Sequence, residues 1–170
     1  MKLASKIAIL FMAVLTTGMV NAQEKTPKSP KATATGTIGG ATITINYNSP
    51  FVKGRTIYGK LVPYGKVWRA GADDATTFET SKAIKVEGKE LPAGKYAFFV
   101  IPEKDGTATV IFNKEAKQWG AYDYKEAEDA LRVKVKTKKS ASLTESLVYK
   151  VNKSDVTLSW ENLDIPVAIK

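Results

Sequence analysis

The sequence predicts an all-β fold, a single-domain β-sandwich, on three observations. Apolar and polar residues alternate with period two along several short runs. Turn signals rich in Gly and Pro separate those runs at regular spacing. One run, Tyr96 to Ile101 (YAFFVI), is apolar on both faces, as a central strand must be. The pattern leaves jelly-roll-like and immunoglobulin-like topologies open.

The first strand pattern sets Ile43, Ile45 and Tyr47 against Thr42, Thr44 and Asn46. A hairpin is expected around Glu87-Gly88, and Pro92-Ala93-Gly94 turns the chain into the central strand. Lys104-Asp105-Gly106 is a second hairpin turn, opening onto Ala108, Val110 and Phe112. Further alternations run through Leu131, Val133 and Val135, then Leu147, Tyr149 and Val151, then Val156, Leu158 and Trp160. The last segment, Ile165 to Ile169, carries Pro166 and suits an edge. Arg132 to Lys139 puts basic residues on one strand face, the usual dress of a solvated sheet surface. The single helical candidate, Lys125 to Leu131, is short.

The domain organisation expected is a signal peptide over 1–22, a flexible leader over 23–34 and the sandwich over 35–170. Lys2 and Lys6 precede the apolar run Ile7 to Leu15, and Val20-Asn21-Ala22 offers a cleavage site ahead of Gln23. That run is too short to span a bilayer, which takes about 20 apolar residues. Gln23 to Lys31 (QEKTPKSPK) is polar, Lys- and Pro-rich and without period. An exported protein of the periplasm or exterior is therefore expected, with no transmembrane segment.

Composition excludes whole chemistries. The chain has no Cys and no His, so thiol nucleophiles, disulfides, imidazole bases and zinc sites built on either are ruled out. No metal site and no cofactor are expected. Outside the signal the charge is +7 of the formal +9, and all but Arg55, Arg69 and Arg132 of the cations are Lys. A Lys-dominated surplus fits a solvated surface better than a nucleic-acid reader, which favours the planar Arg fork. No nucleic-acid partner is expected.

Two segments stand out as candidate sites. Ser49 to Ser81 holds two of the three Arg together with Trp68, Tyr58, Tyr64 and four Gly. Arg55 and Arg69 look chosen for geometry, either to brace the loop, with Asp73, Asp74 and Glu79 as the expected charge partners, or to hold an anionic ligand; the brace is the favoured reading. Trp68 is expected in the core. The second segment is Gln118 to Tyr124, where Trp119, Tyr122 and Asp123 form an aromatic and acidic loop that suits a sugar or, equally, caps the end of the sandwich. The candidate binding residues are thus Arg55, Arg69, Asp73, Asp74, Trp119, Tyr122 and Asp123; none is assigned as catalytic. A glycosidase would need two carboxyls across a cleft, and spacing in sequence does not supply that pairing.

The run VKGRTIYGKLVPYGKVWRAGADDATTFETSKAIKVEGKELPAGKYAFFVIP is similar to the signature of the domain of unknown function 2911 family, exported mainly by Bacteroidetes-type bacteria. NKEAKQWGAYDYKEAEDALRVKV resembles the same family's Trp-Gly and aromatic-Asp-Tyr pattern, and the similarity covers residues 36 to 170. The resemblance implies a β-sandwich and export, and carries over no site residue. The functional expectation is a module that binds a saccharide-like or small-molecule ligand, or a structural envelope component. The alternative is a hydrolase or lyase-type enzyme using carboxylate and Tyr or Lys groups.

Overall fold

The computed structural model describes residues 28–170; the expected signal peptide over 1–22 and most of the expected leader over 23–34 lie outside them. Ten strands follow in order: β1 (Lys31–Ile38), β2 (Ala41–Asn48), β3 (Thr77–Thr80), β4 (Ile84–Val86), β5 (Lys89–Leu91), β6 (Gly94–Pro102), β7 (Thr107–Asn113), β8 (Asp129–Lys136), β9 (Lys138–Val151) and β10 (Asp155–Ala168). One turn of 3-10 helix, Glu126–Glu128, is the helical element among the described residues.

Six strands make one antiparallel sheet in the order β1-β2-β3-β6-β7-β8. The second layer is the long hairpin of β9 and β10, which β4 and β5 extend. The extension runs through reciprocal bonds between Lys85 and Lys170, at 2.7 and 2.9 Å. After β2 the chain crosses layers: Leu147 N donates to Pro50 O at 2.9 Å and Val52 N to Glu145 O at 2.7 Å. The crossover leaves Ser49 to Thr76 to build one end of the sandwich, where the candidate site lies.

Period-two burial explains the layers. Tyr96, Phe98 and Val100 of β6 face the main core, and Ala97 and Phe99 face away from it. The outer pair is not solvated, because Ala121 and Tyr124 of the long β7–β8 connection cover it, with Tyr124 edge-on to Phe99 at 5.2 Å. Hence YAFFVI is apolar on both sides and central, as expected from its composition. Inside, Phe78, Phe98, Phe112 and Tyr149 form a continuous aromatic cluster with mostly edge-on contacts.

Three local expectations change. Strand β1 starts at Lys31, ahead of the Thr35 that composition marked, because Lys31 to Gly36 pair fully with β2 from Asn48 to Ile43. A backbone ladder at an edge needs little apolarity, so the polar text hid the strand. Arg132 to Lys139 is not one strand but the end of β8 and the start of β9, divided at Thr137, whose N donates to Gly106 O at 2.9 Å. Asp155–Ala168 is one strand, not two, with register shifts on either side of Glu161, a non-glycine residue at φ 55°. Glu87 (φ 48°) and Gly88 (φ 80°) make the expected two-residue hairpin turn.

Candidate functional site

A cleft of about 490 Å³ opens at the crossover end of the sandwich, within the range typical of small-molecule sites. Its floor is Trp68 and Trp160, stacked with centroids 5.8 Å apart. Trp68 comes from the first layer: its N donates to Val100 O at 2.9 Å, and Val100 N returns the bond at the same distance. Trp160, from β10, is 1% exposed. Tyr58 meets Trp68 edge-on at 6.2 Å. Trp68 is therefore both core residue and cleft floor.

The walls are built by a constrained backbone. Ala70 sits at φ 53° and Asp73 at φ 56°, conformations that cost a non-glycine residue on the order of 1–3 kcal/mol. Two hydroxyls hold the segment there: Tyr149 Oη donates to Ala70 O at 2.7 Å and Thr76 Oγ1 to the same oxygen at 3.0 Å. Gly71 between them has no room for a side chain, since a Cβ would lie 2.8 Å from Thr76 Oγ1 and 3.1 Å from Asn48 O. Asn48 then joins two walls, donating to Ser29 O and to Asp73 Oδ2, each at 3.2 Å. Lys53, a third wall residue, is also left-handed at φ 47°.

The lining is cationic. Lys28, Lys53, Arg55 and Arg69 face a single carboxylate, Asp73. Arg55 folds its guanidinium back on its own turn, donating to Val52 O at 3.1 Å and to Phe51 O. Arg69 is half-buried, and its Nε is buried without a hydrogen-bond partner. Trp160 Nε1 is buried and unpartnered too. Both belong to residues lining the cleft.

The expected contact of Arg55 or Arg69 with Asp73, Asp74 or Glu79 is not formed. Among the described residues neither Arg has an ion pair. Glu79 lies on the exposed face of β3, Asp74 is held by backbone pairing with Trp119, and Asp73 takes Asn48. Arg132 is the Arg that pairs, with Glu126 at 3.0 Å and Asp129 at 3.2 Å. Tyr124 joins that network, its hydroxyl donating to Asp129 at 2.6 Å and accepting from Arg132 at 3.1 Å. Burial, then the bond to Asp129, pushes the Tyr124 phenol well above its ordinary pKa. This cluster braces the β7–β8 connection, helped by Asn113, whose carboxamide donates to Lys125 O and Asp129 Oδ1.

The two candidate segments do meet, through the backbone. Ala75 N donates to Gln118 O at 3.0 Å and Gly120 N to Asp73 O at 3.1 Å. Yet the aromatics of the second segment do not line the cleft. Trp119 and Asp123 border a separate depression of about 350 Å³, beside Gln118 and Lys125. Tyr122 is 82% exposed, and neither it nor Asp74 lines either cavity. Arg69 is the link: both its Nη1 and the Tyr122 ring lie against Gly120.

Of the seven candidates, then, Arg55, Arg69 and Asp73 share one cleft. Sequence reasoning missed Lys28, Lys53 and Trp160. Lys28 and Lys53 are two among many Lys. Trp160 sits at the end of an apolar alternation, where an indole reads as core; no periodicity marks its N–H as unpartnered.

No curated protein and no solved structure matches this chain. The family described as "Protein of unknown function (DUF2911)" matches residues 29–169, nearly all of the sandwich and its first strand. The chain belongs to the DUF2911 family.

Proposed function

We propose that the protein is an exported binding module that takes a small, saccharide-like molecule in the cleft floored by Trp68 and Trp160. One observation carries the reading: two residues that line the same cleft, Arg69 and Trp160, each hold a buried donor without a partner, Nε and Nε1. A buried unsatisfied donor costs about 1–3 kcal/mol. Tyr58 Oη, Thr77 Oγ1 and Gln118 Oε1 are buried without partners too, but among the described residues only Arg69 and Trp160 bring such an atom to this cleft. The left-handed Lys53, Ala70 and Asp73 support the same conclusion, because backbone strain clusters at ligand sites.

Binding is favoured over hydrolysis because the cleft lining holds one carboxylate, Asp73, where glycoside cleavage uses two. Among the described residues, no helix is long and apolar enough to cross a membrane. Export by the segment over 1–22, with Gln23 as first mature residue, belongs to this reading; mass spectrometry of the secreted chain checks it.

The functional test is a thermal-shift screen against cell-envelope sugars and sugar derivatives. A ligand at about 100 times its Kd stabilises the native state by about 2.7 kcal/mol, a rise of roughly 5–10 °C for a domain of this size. The rise should vanish in Arg69→Gln. A ligand whose shift survives that change acts elsewhere.

A further inference from the structure

We propose that the ligand carries a carboxylate, that it is a sugar acid of the hexuronate type, and that Arg69 receives the carboxylate while the sugar body lies over Trp68. The inference rests on the cleft being the binding site and adds the chemical class of what it takes.

The donor inventory sets the class. Arg and Trp side chains donate only; neither accepts a hydrogen bond. The two orphaned positions, Arg69 Nε and Trp160 Nε1, therefore call for acceptors on the ligand, not for a hydroxyl's proton. Charge narrows it further: four cationic side chains and one carboxylate line the cleft. A guanidinium stays protonated at any physiological pH, so Arg69 cannot relieve its burial by becoming neutral. The comparison within this chain is direct. Arg132 has Asp129, Glu126 and Tyr124 around it, and Arg69 has no ion pair among the described residues.

The fork geometry calls for an anionic group that offers two oxygens, as carboxylate and phosphate both do. The Nε edge of a guanidinium presents parallel N–H groups that match a flat carboxylate two to two. Arg55, partly occupied by its own backbone carbonyls, is a fixed positive wall rather than a second free fork. Beside Arg69, the half-buried Trp68 ring offers an apolar face for the body of a sugar.

The test is calorimetric titration of the full mature chain with sodium glucuronate, glucose and glucose 6-phosphate. Glucuronate should bind at least about tenfold more tightly than glucose, the factor that about 1.4 kcal/mol corresponds to. Arg69→Gln should bring glucuronate down to the level of glucose while its ligand-free melting temperature stays level or rises. If that variant does not fold, Trp160→Phe, which keeps a ring and removes the N–H, should weaken glucuronate severalfold. Glucose binding as tightly as glucuronate overturns the carboxylate assignment and leaves the cleft standing as the site. Preference for glucose 6-phosphate overturns it in favour of a phosphate. No binding of any of the three overturns both the assignment and the cleft.

Discussion

Trp68 and Trp160 stack with their planes 18° from parallel, although one is held by the six-stranded sheet and the other by the β9–β10 hairpin. The pair joins the two layers at the end where the chain crosses between them. Both rings also line the cleft, so a change to either tests stability and the proposed binding together.

Trp160 separates the two contributions. Trp160→Ala should cost about 3–5 kcal/mol, as for a buried Trp, in a denaturant melt. Trp160→Phe should cost less than about 2 kcal/mol, because losing part of the ring is offset by removing an unsatisfied buried N–H. Equal losses in the two variants would mean that the indole N–H is satisfied in the native protein.

Phe98 tests the core of the sandwich. It is 2% exposed and touches the rings of Phe78, Phe112 and Tyr149. Phe98→Ala should lose about 3–5 kcal/mol; a loss under about 1 kcal/mol would contradict a central β6.

Gly71 tests the cleft wall. A methyl group there meets Thr76 Oγ1 at 2.8 Å and a backbone oxygen of Asn48 at 3.1 Å, and the backbone oxygen cannot swing aside. Gly71→Ala should destabilise by about 1–3 kcal/mol, the range for overpacking. It should also impair binding more than a surface change such as Lys150→Gln.

The pH profile follows from composition and from buried tyrosines. With no His and no Cys, no side chain of ordinary pKa titrates between about pH 6 and 9. Burial raises the pKa of Tyr149 and of Tyr58, the latter further through Glu161 and Asp164. A phenol whose folded pKa exceeds its unfolded value stabilises the fold fully below about pH 10, and that stability is lost as pH rises through the raised value. Melting temperature should be level from about pH 6 to 9 and fall above 10. A step near pH 7 would contradict this.

The sequence was most legible where burial has a period. YAFFVI declares a doubly covered strand, and Val86 to Leu91 declares its hairpin, because both follow from side-chain patterning alone. It was least legible where backbone pairing decides, as in β1, whose inward stripe of Ala32, Ala34, Gly36 and Ile38 is only weakly apolar. Arg55 and Arg69 stood out by rarity, and both line one cleft, but the carboxylate contacts expected of them are not formed. The expected carboxylate partners lie close in sequence, but β3 turns Glu79 outward and Trp119 holds Asp74 at the backbone. Trp160, over ninety residues from Arg69, reaches the same cleft only through the packing of one layer on the other, which no local pattern encodes.

The central claim is that the Trp160 indole N–H, buried without a partner in a residue that lines the cleft, gains an acceptor when the proposed ligand binds. The direct measurement is an NMR titration of protein labelled with 15N-tryptophan, whose three indole resonances come from Trp68, Trp119 and Trp160. On adding glucuronate, the Trp160 resonance should move downfield as its proton gains an acceptor, Trp68 should shift with the stacked ring, and Trp119 should stay in place. Movement of Trp119 with Trp160 unchanged would contradict the account and put binding on the β7–β8 connection instead.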